Sequence, residues 1–137
     1  MWHFVKLYIS TIIVLLILDG IWLGLIATSF YKNELGALAR REGDVLTPIW
    51  PAALVVYLAL ALGILWFVLP RVSAANPVMS AGLWGFAFGI IIYGVYDMTN
   101  LATLAGYSLR LAIVDILWGG VIGGLSSIAA SFLSRWV

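Results

Sequence analysis

The stretch LDGIWLG, Leu18 to Gly24, sets a carboxylate and an indole three residues apart inside an apolar run, and VDILWGG, Val114 to Gly120, repeats the device. Between them, YGVYDMTN puts Tyr93, Asp97 and Asn100 at i, i+4 and i+7, with Tyr96 and Thr99 close by. An aspartate costs roughly 2.5 to 3.5 kcal/mol at the centre of a membrane helix, so one kept there needs a partner or a use. Asp19, Asp97 and Asp115 are therefore the candidates for chemistry, and Trp22, Tyr93, Tyr96, Thr99, Asn100 and Trp118 are the polar groups expected around them. Carboxyls gathered in a low dielectric can hold a proton or a cation, or divide the roles of acid and base. Because an i, i+3 pair shares one helical face, each indole N–H is expected to reach the space its own carboxylate faces.

The rest of the chain is built to carry these groups through lipid. Of 137 residues, 64% are hydrophobic and 9% charged, against roughly 25% charged in globular domains. Seven Lys/Arg face six Asp/Glu without a basic run, so nucleic-acid binding has no electrostatic footprint. The absence of cysteine removes disulfides, iron-sulfur clusters and thiolate zinc sites, and the only histidine, His3, is too remote for a Ser/His dyad. No dedicated metal site is read, a Mg²⁺-like ion on Asp and Asn oxygens being a variant of a ligand site. No residue pattern names a cofactor.

Four runs can cross a hydrocarbon core that takes about 20 apolar helical residues: 4–30, 49–69, 78–104 and 109–133. The predicted fold is all-α, a polytopic four-helix membrane bundle forming a single domain over 1–137. Thr47 before Pro48 and Asn76 before Pro77 read as N-caps with Pro at the first helical position, and Pro70 ends the second span. Trp2, Trp66 and Trp136 should mark one interface, and Tyr31, Trp50 and Tyr107 the other. FYKNELGALARREGD, Phe30 to Asp44, spaces Tyr31, Leu35 and Leu38 as a short interfacial amphipathic helix, with a solvated charged loop as the alternative. The first span also has the composition of a secretory leader, but its length and Asp19 favour a retained helix. Lys6, Arg71 and Arg135 on the side of the termini against Lys32, Arg40, Arg41 and Arg110 opposite give a slight lean to termini outside.

Depth brings the acids together. Asp97 lies nine residues before Gly106, the tip of the last hairpin, and Asp115 nine after it; each is about 13 Å down from the tip at ~1.5 Å per residue. Asp19 lies in the same half of the bilayer, and the three acids are expected to share one polar cavity. Small residues should let the helices approach: Gly20 and Gly24 in the first, Gly82, Gly85 and Gly89 in the third, Gly119, Gly120, Gly123 and Gly124 in the fourth. The second helix, uncharged from Pro51 to Leu69, reads as mostly packing. The repeated D-x-x-W joins two antiparallel helices, which favours convergent use of one device over tandem duplication.

LDGIWLG, FYKNELG, YDMTNLATL and VDILWGG, in this order, resemble a bacterial family of predicted integral membrane proteins grouped as domain of unknown function 2177, over nearly the whole chain. The resemblance implies four helices in the cytoplasmic membrane, and its motifs fall on Asp19, Trp22, Tyr96, Asp97, Thr99, Asn100, Asp115 and Trp118. It implies no activity.

Three functions compete. In the first, the acids line a site for a small cation, a protonatable solute or a lipid head group, in a transporter or binding protein that at this size should be a homodimer through its glycine-rich helix faces. In the second, an Asp pair performs acid-base chemistry on lipid; Tyr96-Asp97 and Asp115 resemble an intramembrane aspartyl dyad, without the glycine-rich lead-in of such proteases. In the third, the acids are structural in an assembly subunit, Asp115 pairing with Arg110 or accepting indole and amide hydrogen bonds. Trp84 is read as core, and Arg110 as a snorkelling anchor.

Overall fold

The computed structural model describes residues 1–136. Helix α1 (Trp2–Ile21) runs on through a π-helical turn (Trp22–Ile26) and breaks at Ala27, beyond which α2 (Thr28–Leu35) sets off as a separate short helix. Helix α3 (Trp50–Gly63) ends in a π turn (Ile64–Val68) and a 3-10 turn (Leu69–Arg71) that contains Pro70. Helices α4 (Pro77–Thr103) and α5 (Leu109–Leu133) form the closing hairpin. The four spans Trp2–Ile26, Trp50–Arg71, Pro77–Thr103 and Leu109–Leu133 hold 22 to 27 residues each, long enough for a core of roughly 30 Å.

Three boundaries differ from those read in the sequence. The first span stops at Ile26 rather than residue 30, because the wide π turn and the non-helical Ala27 redirect the chain. The amphipathic helix covers only Thr28–Leu35. Gly36, at φ 50°, ends it, and Gly43, at φ 58°, turns a two-residue hairpin of β1 (Arg41–Glu42) and β2 (Val45–Leu46). Thr47 is not a cap: α3 begins at Trp50, after Ile49, with Pro51 in its first turn, where the missing N–H is no loss. Asn76 does precede Pro77 at the head of α4, but its side chain makes no cap; its carbonyl accepts from Ser80 Oγ at 2.8 Å.

The bundle is organised around α5. Its buried positions include Gly119, Gly120, Gly123, Gly124, Ser126 and Ser127, so close approach of backbones rather than large apolar side chains defines the contact. A Cβ on Gly89 would meet the backbone of Gly119, and one on Gly119 would meet the Tyr93 ring. The glycines of α4 and α5 thus let these two helices approach as expected; Gly20 and Gly24 have open space beside them. On α1 the buried residues recur every fourth position as Leu7, Thr11, Leu15 and Asp19, a single stripe turned inward. Leu7 and Leu15 share a core cluster with Leu60, Ile64, Ile122 and Ala130. Trp2, Trp66 and Trp136 are exposed at one end and Trp50 at the other, as interfacial rings should be. Tyr31 and Tyr107 depart from that pattern and turn into the bundle.

Candidate functional site

Each of the three intramembrane acids is met by a tyrosine from a different element. Tyr57 of α3 donates to Asp19 Oδ2 at 2.5 Å, Tyr107 of the α4–α5 turn donates to Asp97 Oδ1 at 2.6 Å, and Tyr31 of α2 donates to Asp115 Oδ1. Tyr57 gives the second helix, otherwise packing, a direct part in the cluster. Its signal was available, since a lone phenol in an apolar membrane helix needs an acceptor that lipid cannot supply. Tyr31 and Tyr107, expected in the interfacial belt, instead turn to the acids. The break at Ala27 swings Tyr31 back over the bundle mouth, and the turn at Gly106, φ 83°, does the same for Tyr107.

The two D-x-x-W pairs are crossed rather than self-contained. Trp118 Nε1 donates to Asp19 Oδ1 at 2.9 Å, across from α5 to α1. Trp22 Nε1 donates to the Tyr31 hydroxyl at 3.1 Å, and that hydroxyl donates to Asp115, so the α1 indole supports the α5 acid through a relay. The two indoles stack with centroids 4.5 Å apart and planes 8° from parallel. Each indole reaches a group on another element rather than its own carboxylate, and the stack holds the two side by side.

The acids differ in how completely they are satisfied. Asp19 is buried at 7% exposure with one donor on each oxygen. Asp97 is wholly buried, and while Oδ1 accepts from Tyr107, Oδ2 has no partner. The Asp115 carboxyl of α5 is its charged neighbour. A carboxylate cannot donate, so a bond between them needs a proton, and an intervening cation is the other way to join them. Tyr93 lies at the centre, its ring against Gly119 and all three acids among its charged neighbours.

Of the residues singled out from the sequence, Asp19, Trp22, Tyr93, Asp97, Asp115 and Trp118 come together, and Asn100 stands half-buried beside the Tyr107 hydroxyl. Tyr96, 60% exposed, and Thr99, also exposed, do not. At about 100° per residue, turning Asp97 inward carries positions 93 and 100 with it and sends 96 and 99 to the outer face. Trp84, read as core, is instead exposed beneath the Arg71 guanidinium. Arg110 does not pair with Asp115; it reaches Glu34 at 3.4 Å near the surface, and the Ser108 hydroxyl also donates to Glu34. This cluster pins α2 to the head of α5, where Ser108 caps the Leu111 N–H at 3.2 Å. Burial first, and the Asp115 carboxyl second, push the Tyr31 phenol well above its ordinary range; burial and Asp97 do the same for Tyr107. Both phenols stay donors at neutral pH. Among the described residues no three His, Cys, Asp or Glu side chains gather as metal ligands. Two clefts, of about 410 and 610 Å³, are lined by residues away from the acids.

Four long apolar helices with acids gathered inside them define a multi-pass membrane protein. The family model described as Predicted membrane protein (DUF2177) matches residues 4–132, and the chain belongs to that family. No curated protein and no solved structure matches it.

Proposed function

We propose that the chain binds a small cationic or protonatable group at the Asp97–Asp115 pair, within the half of the membrane next to α2. The observation that carries this reading is the buried, unpartnered Asp97 Oδ2 beside a second carboxyl. A buried acceptor left unmade costs about 1–3 kcal/mol. A proton or a cation between the two acids removes that cost and the repulsion together. Tyr31, Tyr93 and Tyr107 support the same reading, because they neutralise nothing and leave the charge of the pair for a ligand to balance. A separate role is favoured for Asp19: with both oxygens bonded, it acts as a clamp between α1, α3 and α5.

The test combines two readouts on the protein in lipid nanodiscs. Infrared spectra look for the carbonyl stretch of a protonated carboxylic acid and titrate it with methylammonium as the cation probe; native mass spectra look for a bound small molecule. The expected result is a band or an adduct that disappears in Asp97→Asn and in Asp115→Asn and persists in Asp19→Asn. A pair carrying neither proton, methylammonium nor adduct, or a band that belongs to Asp19, overturns the proposal.

A further inference from the structure

The opposite end of the bundle carries a second polar feature that the aspartate cluster does not use. A cleft of about 410 Å³ opens where α1 begins and α5 ends, with the loop before α4 along its side. Its polar wall is His3, Ser73, Ser131, Ser134 and Arg135, over an apolar floor headed by Leu7. Ser131 is 8% exposed and lines the cleft, and the Ser134 hydroxyl beside it donates to the Ser131 carbonyl at 2.8 Å. Arg135 is exposed and lies over the Phe132 ring at 5.8 Å without an acidic partner among the described residues.

Charge sorts between the two ends in the same sense. All six acids lie toward the α2 end: Asp19, Glu34, Glu42, Asp44, Asp97 and Asp115. Two of the cations there are paired, Lys32 with Asp44 at 3.3 Å and Arg110 with Glu34 at 3.4 Å. Lys6, Arg71 and Arg135, with His3, stand at the other end and form no ion pair among the described residues. Trp2, Trp66 and Trp136 are exposed around this end, the depth at which lipid head groups lie.

We propose that the cleft binds a phosphate group, presented by an anionic phospholipid whose acyl chains lie along the exposed apolar flank of the bundle. The chemistry fits each part of the wall: guanidinium and hydroxyl donors for phosphate oxygens, an imidazole at the rim, and Leu7 beneath for the glycerol carbons. Cleft volumes of 300–1,000 Å³ are usual for small ligands, so about 410 Å³ takes a head group without rearrangement. The reading is independent of the carboxyl pair and stands or falls without it.

The test is native mass spectrometry of the full chain released from equimolar phosphatidylcholine and phosphatidylglycerol, with and without inorganic phosphate. The expected result is one phosphatidylglycerol retained over phosphatidylcholine, with the preference cut about fivefold to tenfold by Arg135→Gln and further by adding His3→Gln. Arg110→Gln, at the other end, should leave it unchanged. Retention untouched by inorganic phosphate assigns a lipid phosphate; loss of the lipid in its presence assigns a site that also takes the free ion. Equal retention of the two lipids, or a preference that survives the double variant, overturns the proposal.

Discussion

Asp19 and Asp97 sit in the same half of the same bundle, are buried almost equally, and each receives a tyrosine hydroxyl, yet they are different kinds of acid. Asp19 has a donor for each oxygen, drawn from α3 and α5. Asp97 has a donor for one and none for the other, with the Asp115 carboxyl as its neighbour. On the proposed function, it is the count of partners and not burial that separates the structural acid from the working one. A fully satisfied carboxylate joins helices, whereas an unsatisfied one keeps a vacancy that only a proton or a ligand can close. Proteins keep such a deficit where function needs it.

The comparison can be broken most forcefully at the glycine seam. Gly89→Ala drives a Cβ into the Gly119 backbone and should separate α4 from α5, at a cost of about 3 kcal/mol or more in unfolding by increasing SDS in mixed micelles. The Asp97–Asp115 contact spans that seam and the Asp19 clamp does not, so the infrared signature should vanish first. Persistence of the signature at full strength would place the working acid at Asp19 after all. Next in size is Asp19→Ala, which strands the Tyr57 and Trp118 donors and should lower stability by about 1–3 kcal/mol in the same titration. It should leave any adduct at the pair in place.

Asp97→Asn reverses the sign. Its amide can donate where Oδ2 now lacks a partner, so stability should hold or rise by a few tenths of a kcal/mol up to about 1 kcal/mol, while binding is lost. A large destabilisation would make Asp97 a second clamp. The smallest expected effect is on the alkaline limb. Tyr31 and Tyr107 have folded-state pKa values raised above their unfolded ones. Their protonated forms therefore stabilise the fold fully below the unfolded phenol value of about 10, and this is lost as pH rises toward the folded values. Thermal melts between pH 8 and pH 11, on scales set by that reference, should fall more steeply for the wild-type chain than for the Tyr31→Phe, Tyr107→Phe double variant. Parallel curves would detach both phenols from the acids.

Much of this was legible before any coordinates. Acids in an apolar run declare themselves by their cost, which is why Asp19, Asp97 and Asp115 stood out. The i, i+4, i+7 spacing also picked Tyr93, Asp97 and Asn100 correctly as one face. Tyr96 and Thr99 were drawn in by nearness in sequence, although one step along a helix is a turn of about 100°. Tyr57 was passed over because a single phenol leaves composition and hydropathy almost unchanged. The core faces of α4 and α5 were hard to read for a different reason: in lipid both faces of a helix are apolar, so small residues mark the inner side and periodicity does not.

The amino-acid order by itself determined that the chain crosses a membrane four times with three acids at one depth, because length, hydropathy and rise per residue are local properties. Which partner each acid takes was decided only by the tertiary structure. The crossing of the two D-x-x-W pairs depends on the stacking of Trp22 on Trp118 from separate helices, and the delivery of Tyr31 depends on a break at Ala27 that no spacing announces. Hydrogen bonds between distant residues form where packing brings the groups within about 3 Å, and that closeness is a property of the whole bundle rather than of any segment in it.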